Sequence, residues 1–172
     1  MSKNGHMGMR IGVLSDTHIH QVSKDFRDLV DRHFSQVDVI LHVGDYTSPV
    51  VVDYLGSKDF HGVYGNMDPY AIKEALPEKK IVEIGGFRFG LIHGWGSPRG
   101  LEERVLAQFR EVDVIVFGHS HRAMNEVVQG VLLFNPETAT GFSSSGVHTI
   151  GILECGDTVK GKIIDLDPST RA

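Results

Sequence analysis

The chain has 172 residues, a formal net charge of −5 at pH 7 and a hydrophobic content of 41%. This length predicts one domain with a buried core, and the acidic balance argues against a broad nucleic-acid-binding surface. No apolar run approaches the roughly 20 residues of a membrane span. The single Cys155 excludes an internal disulfide and favours a reducing, cytoplasmic location.

Residues 1–8 are interpreted as an expression-tag remnant or a disordered N-terminus, with Met7 or Met9 as the native start. His6 lies in this segment and is therefore not a candidate ligand. The predicted domain covers residues 9–168, without an internal linker or repeat.

Strands and helices alternate over the first two thirds of the sequence. The run VDVILHV is continuously apolar, which is typical of a strand covered on both faces. Helix signals are Ser23 as an N-cap, and Pro49 and Gly56 at the two ends of a second helix. The predicted elements are strand Arg10–Ser15, helix Lys24–Phe34, strand Val37–Val43, a helix from Ser48-Pro49 to Gly56, strand Phe60–Tyr64, arms Ile81–Ile84 and Phe87–Ile92, helix Leu101–Phe109 and strand Val112–Phe117.

The pair Gly85-Gly86 between the two apolar arms predicts a β-hairpin. The last third, Ala123–Leu166, contains short β runs and no helical pattern, and Phe142–Gly146 is predicted to be a mobile loop. A βαβα order followed by β-rich sequence predicts an α/β fold. Functional sites in such folds form outside the carboxyl ends of the strands.

Donor side chains follow these strands at the points where the apolar runs end. Carboxylate, imidazole and amide donors suit Mn, Zn or Fe, and the lack of thiolates argues against a structural zinc site. One ion takes about four to six donors, so seven suffice for two ions when one carboxylate bridges them. The seven donors are Asp16, His18, Asp45, Asn66, His93, His119 and His121.

Each motif alone also has an ordinary structural explanation. Gly44-Asp45 and Gly65-Asn66 are common turn sequences, and it is the joint occurrence in this order that favours a metal site. His42 lies inside an apolar run and is interpreted as a buried, hydrogen-bonded histidine, not a ligand. Arg99 and Arg122, beside the motifs, either bind a phosphate or are solvated charges.

The order D-x-H, G-D, G-N-x-D, H-G and G-H-x-H resembles the signature of calcineurin-like metallophosphoesterases. The short chain is most similar to the small bacterial and archaeal phosphodiesterase branch, from about Arg10 to about Asp167. The resemblance implies two packed mixed β-sheets flanked by helices, a four-layer sandwich of the α/β (α+β) class.

The resemblance also implies the roles of the site residues. It implies a metal-bridging hydroxide as nucleophile and two divalent ions, with Mn as the first choice and Zn, Fe, Ni or Co as alternatives. Asp45, His20 and Asp68 are predicted to take part in catalysis, and Asp68 is interpreted as supporting the ligands without binding a metal. The implied ligands are Asp16, His18 and His121 for one metal, Asn66, His93 and His119 for the other, and Asp45 as the bridge.

Two positions depart from the family pattern. Met67 stands where many members have a histidine that protonates the leaving group, and His20 is the nearest replacement. Glu137 and Thr138 follow Asn-Pro where the branch usually has Gly-Ser. Because that loop shapes the rim of the family's site, substrate choice is expected to be unusual.

The resemblance implies a cytoplasmic phosphodiesterase acting on a small phosphoester, with no membrane partner. Phosphomonoesterase and dinucleoside polyphosphate hydrolase activities remain alternatives, and a homo-oligomer is left open. A different class is a non-catalytic scaffold, because the fold also forms the scaffold subunit of a vesicle-coat complex whose histidines are eroded. All seven donor positions are intact here, which favours an enzyme.

Overall fold

The structure, a computed structural model, describes residues 8–167. Residues 1–7 of the predicted tag remnant and residue 168, the predicted domain end, lie outside this range. None of the helices within it is long and apolar enough to cross a membrane. The helices are α1 Lys24–Phe34, α2 Pro49–Gly56, α3 Tyr70–Ala75 and α4 Leu101–Leu106. The strands are β1 Met9–Leu14, β2 Val39–His42, β3 Phe60–Gly62, β4 Lys79–Ile84, β5 Phe87–Ile92, β6 Val114–Val116, β7 Met124–Val128, β8 Val131–Asn135, β9 Thr149–Cys155 and β10 Val159–Asp165.

The strands form two mixed five-stranded sheets, which we call sheets A and B. Sheet A has the order β10-β9-β1-β2-β3, with β1, β2 and β3 parallel and β9 antiparallel to its neighbours. Sheet B has the order β4-β5-β6-β8-β7, with β5, β6 and β8 parallel and the edge strands antiparallel. The predicted fold of two mixed sheets flanked by helices is therefore confirmed.

Alternation along the central strands produces the layers, because successive side chains of a strand point to opposite faces. In β2, Leu41 packs in the core between the sheets, whereas Ile40 packs against α1 and α2. In β6, Val114 lies in the inter-sheet core and Ile115 packs against α4. The order of layers is helices, sheet A, sheet B and helix.

The sequence predicted most elements, with strand ends that differ from the observed ones by at most two residues and with larger differences at two helices. Helix α3 was not predicted, because a six-residue helix that buries only Ile72 has no apolar periodicity to detect. Helix α4 ends at Leu106 and not at Phe109, although the Phe109 ring still packs against the same core cluster. The N-cap is confirmed, since the Ser23 hydroxyl accepts the Phe26 N–H at 3.2 Å. The predicted hairpin is also confirmed, with Ile84 opposite Phe87.

Phe134 packs between the two sheets, and its replacement tests the inter-sheet core. The side chain is fully buried, and a Cβ placed on Gly151 of the facing sheet would lie 2.3 Å from its ring. We expect Phe134→Ala to lower the free energy of unfolding by about 3–5 kcal/mol, with Phe134→Leu losing less. Val127→Ala, at a side chain that is 70% exposed on the same sheet, is the control.

The measurement is urea unfolding with a chelator present, because a bound metal would add its own stabilisation. Val127→Ala is expected to stay within about 0.5 kcal/mol of the unchanged protein. Equal losses in Phe134→Ala and Val127→Ala would contradict the central position of Phe134.

Candidate metal centre

The carboxyl ends of parallel strands from both sheets meet at one end of the sandwich. The Asp16 N–H donates to the Gly44 carbonyl at 2.9 Å, which joins the loops after β1 and β2. The Gly118 N–H donates to the His93 carbonyl at 3.0 Å, which joins the loops after β5 and β6. The His93 ring then bonds the Val43 carbonyl at 2.8 Å and connects sheet B to sheet A. Residues more than 100 positions apart are thereby brought together.

Asp16 is fully buried and divides its two oxygens between different tasks. Its Oδ2 accepts the Ser15 hydroxyl at 2.5 Å and the His119 N–H at 3.1 Å. Its Oδ1 faces the Nε2 atoms of His121, His93 and His18 at 3.1, 3.7 and 3.8 Å. One oxygen thus fixes the carboxylate, and the other is presented to three imidazoles.

The two oxygens of Asp45 also have different partners. Its Oδ1 accepts the Met67 N–H at 2.8 Å. Its Oδ2 lies 3.3 Å from His93 Nε2 and 3.5 Å from His18 Nε2. Asp45 Oδ2 therefore faces one histidine from each of the two ligand sets that the family resemblance implies.

The donor atoms fit a cation, because several of them are buried without partners. Asp16 Oδ1, His18 Nε2 and His93 Nε2 are buried and accept or donate no hydrogen bond within residues 8–167. Buried polar atoms are nearly always paired, and bound ions are one explanation of the exceptions. The donors form two groups, each with all its ligand atoms within 4.8 Å: Asp16, His18 and His121, and Asp16, Asp45 and His93.

Two of the histidines are oriented by backbone carbonyls. A carbonyl oxygen only accepts, so His93 Nδ1 donates to Val43 and His121 Nδ1 donates to Phe142. In each ring Nε2 is left to face the carboxylates. Metal-binding histidines are held in this way by a second hydrogen bond from the other ring nitrogen.

His119 and Asn66 form a separate contact at the rim of this cluster. His119 Nε2 donates to the Gly96 carbonyl at 2.8 Å, and Nδ1 lies 3.2 Å from Asn66 Oδ1. In a neutral ring, Nδ1 then holds a lone pair beside an amide oxygen. The structure brings these two predicted ligands to each other and places His119 beside His93, with 5.3 Å between ring centroids.

The charges of the cluster favour a cation between the two carboxylates. Burial acts to raise the pKa of Asp16, but the imidazoles of His121, His18 and His93 hold that pKa well below its usual value. Burial acts to lower the pKa of His93, but Asp45 and Asp16 raise it to about 9. The neighbouring Asp16 carboxylate likewise raises the pKa of His121. The two carboxylates therefore stabilise positive charge, either on a protonated imidazole or on a bound cation.

Five of the seven predicted ligands have left-handed backbone conformations. Their φ angles are between 45° and 68°, in a region that costs a non-glycine residue roughly 1–2 kcal/mol. Such outliers persist only where the surrounding structure enforces them, and they concentrate at functional sites. The five residues are Asp16, His18, Asp45, His119 and His121.

Close approach of backbones makes this geometry possible. A Cβ on Gly118 would lie 2.0 Å from the Ser15 hydroxyl and 2.6 Å from Asp16 Oδ2. Only glycine therefore lets the loop that carries His119 reach Asp16.

His42 and Asp68 support the ligand loops from behind. His42 is fully buried, bonds Thr17 Oγ1 and the Gly44 N–H at 3.1 Å each, and burial lowers its pKa to about 3. Its interpretation as a hydrogen-bonded core histidine is confirmed. Asp68 accepts the N–H groups of Asp45, Thr47 and Gly65 at 2.8–2.9 Å. A part for Asp68 in the reaction itself stays a prediction.

Thr138 is a supporting residue whose role the sequence did not reveal. Its hydroxyl donates to the Asp16 carbonyl at 2.7 Å and accepts the Gly141 N–H at 2.7 Å. A threonine after Asn-Pro-Glu has no periodic or motif signal that could have predicted this contact, which joins residues 122 positions apart.

The remaining predicted residues lie outside the donor cluster. His20 is exposed and its side chain makes no hydrogen bond within residues 8–167, so its role as a general acid stays a prediction. Arg122 is 73% exposed and lies 3.8 Å from Glu102, and Arg99 is exposed. Met67 is 60% exposed.

Comparison with known proteins assigns the family. Residues 9–158 match the calcineurin-like phosphoesterase superfamily domain, and the chain belongs to that family. It is 36% identical over 165 residues to a probable metallophosphoesterase of Methanocaldococcus jannaschii, with 92% of this chain and 82% of that protein covered. A phosphodiesterase of the same archaeon is 30% identical over 161 residues, with 85% and 93% covered.

A solved structure shares the same fold. Vacuolar protein sorting 29 of Cryptosporidium parvum superposes with a TM-score of 0.75 at 26% identity, and the alignment covers 94% of this chain and 93% of that one. The family resemblance predicted from the five motifs is confirmed by these relatives.

Asp68 provides a test of how the ligand loops are held. Asp68→Asn keeps the shape but turns an amide NH₂ toward one of the three N–H donors, and an unsatisfied buried donor costs about 1–3 kcal/mol. We expect a loss of this size in the free energy of unfolding of the metal-stripped chain, measured in urea. Asp59→Asn removes the same charge from an exposed side chain and is the matched control. Indistinguishable unfolding midpoints for the two variants would contradict the supporting role of Asp68.

Proposed function

We propose that the chain is a dinuclear metal-dependent phosphodiesterase. The observation that carries the proposal is a cluster of three buried atoms without hydrogen-bond partners: Asp16 Oδ1, His18 Nε2 and His93 Nε2. Both histidine nitrogens also lie within 3.5 Å of Asp45 Oδ2. Burying such atoms unpaired costs free energy, which a bound cation would offset. The family and the phosphodiesterase relative support phosphoester hydrolysis as the reaction.

Two ions are proposed because the donors form two groups, and Asp45 Oδ2 lies within 3.5 Å of His18 in one group and of His93 in the other. Mn²⁺ is the first choice, with Zn, Fe, Ni and Co as alternatives, since carboxylate, imidazole and amide donors suit all of them. The proposed ligands are Asp16, His18 and His121 for one ion, Asn66, His93 and His119 for the other, and Asp45 for both.

When bound, two such ions lower the pKa of a water molecule and draw charge off the phosphoryl oxygens, so that no protein base is needed. The chain's own contribution is to hold the donor atoms still. Asp16 and Asp45 each commit one oxygen to protein donors and present the other. The Val43 and Phe142 carbonyls fix two of the imidazoles.

Phosphodiesters are proposed over the alternatives because a relative with 30% identity is named a phosphodiesterase. Phosphomonoesters and dinucleoside polyphosphates remain second choices, since a cation pair engages any phosphoryl group in a similar way. We also propose a cytoplasmic location and a small phosphoester substrate. A panel of mono- and diesters, assayed on metal-stripped chain with Mn²⁺ added back, tests the reaction class.

The scaffold alternative rests on the likeness to vacuolar protein sorting 29. The intact donor set argues for catalysis, since a scaffold has no use for seven competent donors. Metal uptake without turnover of any ester in the panel would favour the scaffold.

The division of ligands between two ions makes a stoichiometric prediction. The unchanged chain is expected to bind two Mn²⁺ per molecule, measured by elemental analysis after gel filtration. His121→Ala and His119→Ala should each retain one ion, and a different one. Asp45→Asn should weaken both and reduce turnover by more than about 100-fold, because even changes behind metal ligands cost 10–100-fold. Loss of both ions in each histidine variant would refute the division.

Met67 makes a prediction about the leaving group. The backbone N–H of Met67 donates to Asp45, but its exposed thioether has no proton to give, and general acid assistance is commonly worth about 10²–10⁴-fold. We expect nitrophenyl diesters to react much faster than alkyl diesters, and the rate to fall steeply as the pKa of the leaving group rises. Met67→His should flatten this dependence.

The control for this experiment is metal content, because a new imidazole could bind an ion instead of a proton. A rate that does not depend on leaving-group pKa, with chemistry shown to limit turnover, would mean that another acid acts. His20→Ala would then be the next variant to assay.

A further inference from the structure

Glu137 is a buried carboxylate that the proposed reaction does not use. Its side chain is 3% exposed, and its φ of 65° lies in the left-handed region that favours glycine. Within residues 8–167 no lysine or arginine pairs with it. Instead, Oε1 accepts the hydroxyls of Ser143 and Ser145 at 2.6 and 2.8 Å, and Oε2 lies 3.4 Å from the Thr149 hydroxyl. A buried charge on a strained backbone calls for a compensating role.

The two serines belong to residues 142–146, which we call the serine loop. The Ser143 hydroxyl also accepts the Val147 N–H at 3.0 Å, so Glu137 and Ser143 together close the base of the loop. Ser144 donates its N–H to the His121 carbonyl at 3.3 Å and its hydroxyl to the Ser120 carbonyl at 3.2 Å. One side of the serine loop is thus fixed to Glu137, and the other side lies on the segment that carries His121.

The serine loop supplies the acceptor that orients His121. The Phe142 carbonyl accepts a hydrogen bond from His121 Nδ1. With Nδ1 committed, Nε2 is the ring nitrogen left for a cation, and it lies 3.1 Å from Asp16 Oδ1 in the same donor group. If the carbonyl moved, the ring could rotate, and Nε2 would leave its position beside Asp16.

We propose that Glu137 is a positioning residue for His121, holding the serine loop so that the Phe142 carbonyl fixes the imidazole for one of the two metals. The inference rests on the proposed metal site. Groups that orient a metal-binding histidine typically change metal affinity by 10–100-fold when they are removed. Glu137 acts indirectly, through the serine loop and the Phe142 carbonyl, so we expect about 10-fold weaker binding at the His121 site and unchanged binding at the other.

Two substitutions distinguish the effect of the Glu137 carboxylate from the effect of its left-handed backbone conformation. Glu137→Gly accepts the left-handed conformation without strain and removes the acceptor. Glu137→Gln keeps an oxygen, and because both serines donate to the same oxygen, a single amide carbonyl can receive both. We therefore expect Glu137→Gly to weaken one metal site about 10-fold and Glu137→Gln to stay close to the unchanged chain. The double variant Ser143→Ala and Ser145→Ala should match Glu137→Gly.

The measurement is titration of the metal-stripped full chain with Co²⁺, followed by isothermal calorimetry and by the visible absorption of the bound ion. Glu83→Ala, which removes an exposed glutamate, is the control and should leave both affinities unchanged. The decisive test is a cycle with His121→Ala. If Glu137 acts through His121, Glu137→Gly should cause no further loss of metal affinity once the imidazole is gone.

The outcomes distinguish this inference from the proposed function. Two sites of unchanged affinity in Glu137→Gly, equal weakening of both sites, or an undiminished effect in the His121→Ala background would overturn the positioning role alone. A wild-type chain that takes up no Co²⁺ would overturn the positioning role together with the metal site. Thermal unfolding of every metal-stripped variant shows whether a loss of affinity merely follows a loss of fold.

Discussion

The site depends on the close burial of two carboxylates, Asp16 and Asp45, with their facing oxygens within 4.8 Å. At an effective dielectric constant of about 20, two such charges repel by roughly 3–4 kcal/mol. Within residues 8–167 no lysine or arginine pairs with either one, and histidines are the neighbours that surround them. The two carboxylates therefore need positive charge between them. Protonated histidines or bound divalent cations can provide it.

The fold makes this concentration of charge tolerable by holding each donor from behind. Asp16 is fixed by Ser15 and the His119 N–H, and Asp45 by the Met67 N–H. Five left-handed residues in the ligand loops have a cost that the buried layers on either side of both sheets must offset. Rigidity is the benefit, because donors that cannot relax apart keep their unpaired atoms aimed at one place.

The rim of the site, formed by the segment after β8, is held differently from the ligand loops. The ligand loops follow directly after strands, so the sheets determine their positions. The rim uses hydroxyl and carbonyl contacts from the segment after β8, where Thr138 holds the Asp16 backbone and Glu137 holds the serine loop. Composition predicted a mobile loop at residues 142–146, and in the structure four hydroxyl contacts join this segment to Glu137, Ser120 and the neighbouring backbone. Variation in such a rim can alter metal affinity or substrate choice without altering the sheets.

The sequence by itself determined the α/β class and the family, because apolar runs and the motifs that end them are local patterns, and the two-sheet architecture followed from the family resemblance. The same motifs predicted the seven donor side chains. The sequence also predicted α1, α2 and the Gly85-Gly86 hairpin, but it missed α3, which has no periodic signal. Only the tertiary structure decided which oxygen of each carboxylate faces the centre, and that Glu137 and Thr138 reach the ligand loops. Those facts depend on contacts between residues up to 122 positions apart, and no local pattern encodes which backbone group a buried hydroxyl or carboxylate will meet.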